Sequence, residues 1–205
     1  RVNPSPVEEY CKKNKVNFRN PKNLISDDEF RSFKELSANL VIVVAYGQII
    51  PKKFLKIGKF GFINIHTSLL PKWRGAAPIQ RAIMNSDKKI GVSIMKIEQK
   101  LDSGPVLVSK EFELDINATH GEIEKKFSLE GANLLIQSLK TIETWNLKFI
   151  DQDHSKATYA KKINKKETKI SWNLDANKVL AHIHGLSPNP GAWFEYQNER
   201  FKVIK

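Results

Sequence analysis

The sequence predicts an α/β fold with a mostly parallel sheet, followed by the beginning of a small β-containing domain. Apolar segments rich in β-branched residues alternate with helical patterns over most of the chain, and two apolar runs flank a polar turn near its end. Alternating strands and helices are typical of a parallel sheet covered by helices. Two short runs around a turn are typical of a β-hairpin.

Three helices are predicted from the residues that begin them. The segments SPVE (5–8), SDDE (26–29) and THGE (119–122) each place a Ser or Thr three residues before a Glu. In this arrangement the two side chains cap each other's backbone N–H groups. The helix after Thr119 is long, because apolar residues continue at helical spacing, and Gly131 is a candidate break in it.

Four segments read as strands of the sheet. The run LVIVVAY (40–46) is apolar throughout, which is typical of a strand buried on both faces. GFINIH (61–66), GVSIMKI (91–97) and PVLVSKEFEL (105–114) are predicted as further strands. A short helix, AAPIQRAIMNS (76–86), lies between the second and the third.

The end of the chain predicts a helix and a hairpin. The helix, DANKVLAHIHGL (175–186), is expected to be capped by Asp175 and stopped by Gly185. The hairpin is GAWFEYQNERFKVIK (191–205).

Two domains are predicted, over residues 1–150 and 151–205, with a polar, Lys-rich linker near 146–157. The chain begins with Arg1 rather than Met and ends in a strand-like run. We therefore expect both domains to be truncated.

Composition limits the classes of function. The chain has 205 residues, 40% of them apolar, and no segment like a membrane span or a signal peptide, so a cytoplasmic protein without a membrane partner is expected. A monomer is expected as well, although the residues themselves do not give the oligomeric state. Its one cysteine, Cys11, excludes an internal disulfide and a cysteine-based metal site. The formal net charge of +12 favours a polyanionic partner such as nucleic acid, but it also fits a protein from a Lys-rich genome.

Asn64 and His66 are the first candidate site residues. They lie two positions apart at the end of a predicted strand, so their side chains share a face, and ligands of open α/β sheets bind beyond such strand ends. An amide and an imidazole there could stabilise negative charge on a carbonyl oxygen. Alternatively, Asn64 caps the turn and His66 is a structural histidine.

Two later segments carry further candidates. Asp102, in the loop EQKLDSGPVL (98–107), could orient the imidazole and help it to donate a proton, or it could simply form the turn. The loop SLLPKWRGAAP (68–78) offers an apolar wall beside a rigid turn.

The other histidines do not predict a metal site. His182 and His184 lie two apart on a predicted helix and face different ways. His120 and His154 are expected on the surface.

Together these segments resemble a known family. The run NIHTSLLPKWRGAAPIQRAI (64–83), with the Asp of LDSGPVL (101–107), closely resembles the signature of formyltransferases that use 10-formyltetrahydrofolate. Within that superfamily, WRGAAPIQRA is similar to the enzymes that formylate methionyl-tRNA. The segments at 43–55 and 157–172 are also similar to the corresponding parts of those enzymes. The resemblance implies a Rossmann-like sheet without its first strand. This sheet is followed by the start of an OB-like β-barrel domain.

The resemblance also implies the site and the reaction. Asn64, His66 and Asp102 match the catalytic residues. The folate-contacting segment falls on Ser68, Leu69, Leu70 and Pro71, with the pteridine also over the turn at 44–47. The implied reaction transfers the formyl group of 10-formyltetrahydrofolate, without a metal, to the methionine amino group of initiator methionyl-tRNA for translation initiation.

A basic cluster lies at the junction of the two predicted domains, with Glu167 as the one acid among six lysines: Lys156, Lys161, Lys162, Lys165, Lys166 and Lys169. It could contact the backbone of a tRNA acceptor stem, or it could be a solvated linker.

Two rival functions remain. A formyltransferase that acts on a small amine, such as glycinamide ribonucleotide or an amino sugar, would share the catalytic residues and not depend on tRNA. A basic RNA-binding module without catalytic activity would tolerate His66→Ala.

Overall fold

The computed structural model describes residues 4–143 and 148–205. The helices are α1 (Pro6–Lys13), α2 (Asp27–Glu35), α3 (Pro78–Met84), α4 (His120–Glu143) and α5 (Ala176–Leu186). The strands are β1 (Leu40–Val44), β2 (Gly61–His66), β3 (Arg74–Gly75), β4 (Lys89–Lys96), β5 (Val106–Glu113), β6 (Tyr159–Ala160), β7 (Ala192–Tyr196) and β8 (Glu199–Val203). None of the described helices is long and apolar enough to cross a membrane. Residues 146 and 147 of the predicted linker lie outside the described part.

The main sheet has the strand order β1-β2-β4-β5. The predicted α/β class and the parallel pairing of β1 with β2 are confirmed. The sheet is mixed rather than mostly parallel, because β4 runs antiparallel to β2 and β5 runs antiparallel to β4. The loop at 97–105 explains the second antiparallel pair, since a parallel connection needs a crossover of about a dozen residues or more.

Helix α4 covers one face of this sheet. Its Phe127 packs with Val92 of β4 and with α3, and its Leu134 packs with Ile63 of β2. Gly131 does not break the helix, because α4 runs through it. A Cβ atom on Gly131 would lie 2.8 Å from Cγ2 of Ile65, so the glycine permits close packing of the helix on β2.

The predicted helix caps form at all three helices, but among the described residues both halves of the reciprocal cap are seen at Thr119 alone. The hydroxyls of Ser5 and Ser26 accept from the backbone N–H groups of Glu8 and Glu29. The capping is reciprocal at Thr119, where the Glu122 carboxylate accepts from the Thr119 backbone N–H (2.8 Å).

Both expected end signals of α5 are corrected. The side chain of Asp175 makes no capping hydrogen bond, and Gly185 lies inside the helix. A Cβ on Gly185 would lie 2.8 Å from Cγ of Met84 and 3.1 Å from the carbonyl oxygen of Gln80. The glycine therefore serves the packing of α5 on α3 rather than the end of the helix.

The predicted C-terminal hairpin is confirmed as an antiparallel pair of β7 and β8. Its central residues, Gln197 and Asn198, have φ values of 49° and 63°. Positive φ at both positions is the mark of a type I′ turn, whose twist suits a hairpin. The small antiparallel sheet is in keeping with the expected start of a C-terminal domain, and the boundary at residue 150 stays a prediction.

The start of α4 packs against the end of α5. The Gly121 N–H donates to the Ser187 carbonyl (3.0 Å), and Nδ1 of His184 donates to the carbonyl of Ile116 (3.0 Å). His120, expected on the surface, is only 8% exposed in this contact. Its Nδ1 and Nε2 of His182 are buried without a hydrogen-bond partner among the described residues.

These two histidines should make the protein less stable in mild acid. Burial lowers the pKa of His120 and of His182 below the usual value of about 6.5. The unfolded chain therefore binds more protons than the folded protein just below pH 6.5, and the free energy of unfolding falls as the pH is lowered from 7 to 5. Thermal unfolding at a series of pH values measures this effect.

The double variant His120→Gln/His182→Gln is the matched comparison. It should lose most of the change in unfolding temperature between pH 7 and pH 5. The carboxyl groups with the most strongly lowered pKa values, Glu122 and Asp153, both have a pKa of about 2, so their own effect lies at lower pH. An unchanged pH dependence in the double variant would contradict the assignment to these histidines.

Candidate active site

His66 is the last residue of β2 and is 5% exposed. Its Nε2 lies 2.9 Å from the carbonyl oxygen of Trp73. A carbonyl can only accept, so Nε2 carries the proton and donates it to this bond. The bond fixes the ring so that Nδ1 lies 3.8 Å from Oδ2 of Asp102. The structure therefore brings these two predicted site residues together.

Asp102 lies in the loop between β4 and β5, and its backbone has a φ of 44°. The carboxylate oxygen Oδ2 accepts a hydrogen bond from the Gly75 N–H (2.8 Å). The separation of 3.8 Å from His66 is longer than a hydrogen bond but short enough for the carboxylate to attract the imidazole once that ring carries a second proton. The Asp102 carboxylate thus lies next to the imidazole and is held there by the Gly75 N–H.

Asn64 lies on the same face of β2 as His66, because side chains two apart on a strand share a face. The side chains of Ile63 and Ile65 point the other way, into the core under α4. Asn64 is half-buried, and its carboxamide makes no hydrogen bond within the part of the chain that the structure describes. Its N–H donors are therefore available to a ligand.

The loop after His66 is pinned from within. Ser68 is 4% exposed, and its hydroxyl donates to the Lys72 carbonyl (2.6 Å), so this side chain supports the turn. Leu69, Leu70 and Pro71 remain partly exposed and form an apolar wall.

Ser93 is a supporting residue that the sequence reasoning missed. It is fully buried in β4, its hydroxyl donates to the Ser68 carbonyl (2.7 Å), and it accepts from the Leu70 N–H (3.3 Å). The available signal was a polar residue inside an apolar strand.

The short strands β3 and β6 join the site to the segment after the predicted linker. They pair in parallel, with Arg74 opposite Tyr159 and Gly75 opposite Ala160. The Arg74 N–H donates to the carbonyl of Thr158 (2.9 Å). Gly75, which binds the Asp102 carboxylate, is therefore fixed by a segment that directly follows the predicted linker at 146–157.

The basic cluster lies on both sides of β6 along the chain, with Lys156 before the strand and the other five lysines after it. Lys156 pairs with Asp153 (3.0 Å) and Lys169 pairs with Glu195 (2.6 Å). The other four lysines are exposed and have no carboxylate within 4.0 Å in the described part of the chain: Lys161, Lys162, Lys165 and Lys166.

A groove of about 400 Å³ lies beside this cluster. It is lined by Arg81, Tyr159, Lys161, Lys162, Asn164 and Glu167. Arg81 of α3 donates to the carbonyl of Lys161 (2.9 and 3.0 Å) and to both carboxylate oxygens of Glu167 (2.9 and 3.0 Å). The hydrogen bond from Arg81 lowers the pKa of Glu167, whose negative charge is thereby offset. The lysines thus border a groove with few uncompensated acids.

No group of three or more potential metal ligands from His, Cys, Asp and Glu occurs among residues 4–143 and 148–205. The candidate site combines an amide, an imidazole and a carboxylate beside an apolar wall.

Two family models match the chain. The model described as formyl transferase matches residues 1–139, and the model described as formyl transferase, C-terminal domain, matches residues 162–205. The chain is 45% identical over its whole length to methionyl-tRNA formyltransferase of Pelagibacter ubique, of which it spans 66%. It is 42% identical to the protein of the same name from Bartonella henselae, with 98% of this chain and 66% of that protein covered.

Solved structures show the same fold at low identity. The methionyl-tRNA formyltransferase from Clostridium thermocellum has a TM-score of 0.71 and 21% identity, covering 96% of this chain and 85% of that one. HypX from Aquifex aeolicus in complex with tetrahydrofolic acid has a TM-score of 0.73 and 19% identity, covering 96% of this chain and 34% of that one. A sugar N-formyltransferase from a Shewanella species has a TM-score of 0.73 and 21% identity, with coverages of 89% and 75%.

Proposed function

The chain belongs to the formyl transferase family, and on this basis we propose that it formylates the methionine amino group of initiator methionyl-tRNA for translation initiation, with 10-formyltetrahydrofolate as donor. The contact of 3.8 Å between Nδ1 of His66 and Oδ2 of Asp102, at the carboxyl end of β2, carries the proposal. The names of the relatives at 45% and 42% identity support methionyl-tRNA as the substrate.

Asn64 and His66 stabilise the negative charge that develops on the formyl oxygen as the amine attacks. The free N–H donors of Asn64 supply this stabilisation, together with Nδ1–H of His66 when the ring is protonated, and donors fixed in place before the reaction act most effectively. Asp102 stabilises the imidazole when the ring is positively charged and assists removal of a proton from the amine.

The apolar wall fits a folate. Leu69, Leu70 and Pro71 are partly exposed in the loop after His66, and the buried Ser93 holds the Leu70 N–H and the neighbouring Ser68 carbonyl. Such a wall, with fixed backbone groups beside it, suits a flat aromatic ring with polar edges. With the folate bound there, its formyl group supplies an electrophilic carbon on a nitrogen that can leave. Ser68 contributes through the turn rather than through a free hydroxyl.

The tRNA acceptor end lies along the basic cluster. Lys161 follows directly on Ala160, which pairs with Gly75, and Gly75 binds the carboxylate of Asp102. A phosphate backbone that contacts Lys161 and Lys162 would therefore pass close to the catalytic residues. Contacts of this kind fix position on the backbone rather than read sequence.

The double variant Lys161→Ala/Lys162→Ala should weaken tRNA binding and its dependence on salt. Each phosphate contact that is lost lowers the slope of log Kd against log salt by about one unit. The Kd for methionyl-tRNA, measured by filter binding over a range of KCl concentrations, reports this slope.

The matched control is Lys13→Ala/Lys125→Ala, which removes the same charge from exposed positions on α1 and α4. It should leave the slope nearly unchanged. Equal slopes for the two double variants would show that only net charge matters and that the cluster is a solvated connection.

Formyl transfer from 10-formyltetrahydrofolate tests the function directly. The protein should formylate initiator methionyl-tRNA and should leave free methionine and amino sugars unmodified. A preference for a small amine, independent of tRNA, would support the first rival function. Binding of tRNA without any transfer would support the second.

A further inference from the structure

A buried chain of hydrogen bonds links Arg74 to the backbone around Asp102 through Gln152. Arg74 is 3% exposed and Gln152 is 8% exposed. Nε and Nη2 of Arg74 donate to Oε1 of Gln152 (3.1 and 2.7 Å). Nε2 of Gln152 donates to the carbonyls of Asp102 (2.9 Å) and Gly104 (2.6 Å). Only an amide in this orientation can accept from a cation on one side and donate to two carbonyls on the other.

The guanidinium of Arg74 is a buried charge without an acid. No carboxylate lies within 4.0 Å of it in the described part of the chain, and its other partner is Nδ1 of His154 (2.9 Å). Arginine is rarely buried unless it is paired, since removing its charge from water is costly. The burial of Arg74 beside the site therefore needs to be explained by the contacts that its guanidinium makes there.

Asp102 is held by hydrogen bonds both at its carboxylate and at its backbone carbonyl. Gly75, the residue after Arg74, donates its N–H to the Asp102 carboxylate (2.8 Å), while Arg74 acts on the Asp102 backbone through Gln152. Asp102 also has a φ of 44°, a conformation that a residue other than glycine keeps where its surroundings enforce it. Both its side chain and its backbone are thus fixed by residues 74, 75 and 152.

We propose that Gln152 and Arg74 are positioning residues of the formyl transfer reaction. They set the separation of 3.8 Å between the Asp102 carboxylate and Nδ1 of His66 without touching a substrate. The proposal rests on the proposed function, in which Asp102 acts on His66. It also makes residue 152, predicted within the linker at 146–157, part of the catalytic scaffold.

The variant Gln152→Glu tests this role most directly. A glutamate has the size of glutamine and can still accept the hydrogen bonds from Arg74. It has no N–H donors, however, and it places an oxygen next to the carbonyl oxygens of Asp102 and Gly104. We expect kcat to fall about tenfold, as for loss of about 1.4 kcal/mol of transition-state stabilisation, with the KM values for folate and tRNA nearly constant. The acid limb of the kcat profile against pH should also shift.

A double-mutant cycle with Asp102→Asn separates positioning from general damage. If Gln152 acts through Asp102, adding Gln152→Glu to Asp102→Asn should change kcat by less than about twofold, because coupled residues are not additive. The matched control is Gln137→Glu, which makes the same change at an exposed site on α4 and should leave kcat unchanged. Gln152→Met, which is uncharged and similar in length, replaces Gln152→Glu if the latter does not fold.

The possible outcomes separate the two proposals. Wild-type protein that transfers no formyl group overturns the proposed function together with this inference. Active wild-type protein with a full additive loss in the Asp102→Asn background, or with no loss for either variant of Gln152, overturns the positioning role alone. A tenfold loss that disappears in that background supports it.

Discussion

Replacing Asn64 by alanine should lower kcat for formyl transfer about a hundredfold to a thousandfold while the KM values change little. That is the usual loss when one donor to a developing oxyanion is removed, because the interaction forms only in the transition state. Asn64 is suited to this role, since its carboxamide has no other hydrogen bond within the described residues and shares a face of β2 with His66. Single-turnover transfer to methionyl-tRNA, with the folate saturating, measures the effect.

Two further variants define this prediction. Asn64→Asp keeps the size of the side chain but replaces the N–H donors with an oxygen, so it should be at least as damaging as Asn64→Ala. Asn133→Ala removes an exposed asparagine of α4 and should leave the rate unchanged. If Asn64→Ala kept more than a tenth of the wild-type kcat, Asn64 would not be a main oxyanion donor.

The side of β2 on which the candidate site residues lie could be predicted from sequence because strand geometry is local. Side chains two apart point the same way, so the pattern of GFINIH placed Asn64 and His66 opposite Ile63 and Ile65 without further information. The end of the strand followed from the cluster of turn-forming residues after it. Capping motifs are local in the same sense, and helices begin after Ser5, Ser26 and Thr119.

The contacts that complete the candidate site join residues that are far apart in the sequence. No periodic sequence pattern predicts such contacts. Gly75 meets the Asp102 carboxylate, and Arg74 meets Gln152, only because the strands β3 and β6 pair. Each of these strands has two residues, too short for alternation to show. Arg74 and Gln152 were also hard to find because polar residues are usually exposed, whereas here each satisfies the other in the interior.

Replacing Gly75 by alanine should both destabilise the protein and lower its activity. Gly75 has a φ of 121°, which side chains rarely adopt, and a Cβ there would lie 2.7 Å from the carbonyl oxygen of Ala160. That oxygen is backbone and accepts from the N–H of Ala76 (2.9 Å), so it cannot move without disturbing the pairing of β3 with β6. Strain and steric overlap together should lower the free energy of unfolding by about 3 kcal/mol. Urea denaturation of the two proteins measures the difference.

Gly47→Ala is the matched control for stability. A Cβ on Gly47 would meet no atom within 4 Å, and its φ is not positive, so the change should lie within about 0.5 kcal/mol. A similar small change for Gly75→Ala would mean that β3 and β6 can separate at little cost.

The activity of Gly75→Ala then tests what the Gly75 N–H does. At a temperature where circular dichroism shows the variant to be folded, kcat should still be at least about tenfold below wild type, because the backbone shift that the new Cβ forces moves the N–H of residue 75 and weakens its hydrogen bond to the charged Asp102 carboxylate. The KM for folate should change less, since Ser93 holds the Leu70 N–H and the Ser68 carbonyl without any contact to Gly75. A folded variant with wild-type kcat would show that the position of the N–H of residue 75 does not control how Asp102 acts. In that case the hydrogen bonds from Gln152 would be its main support.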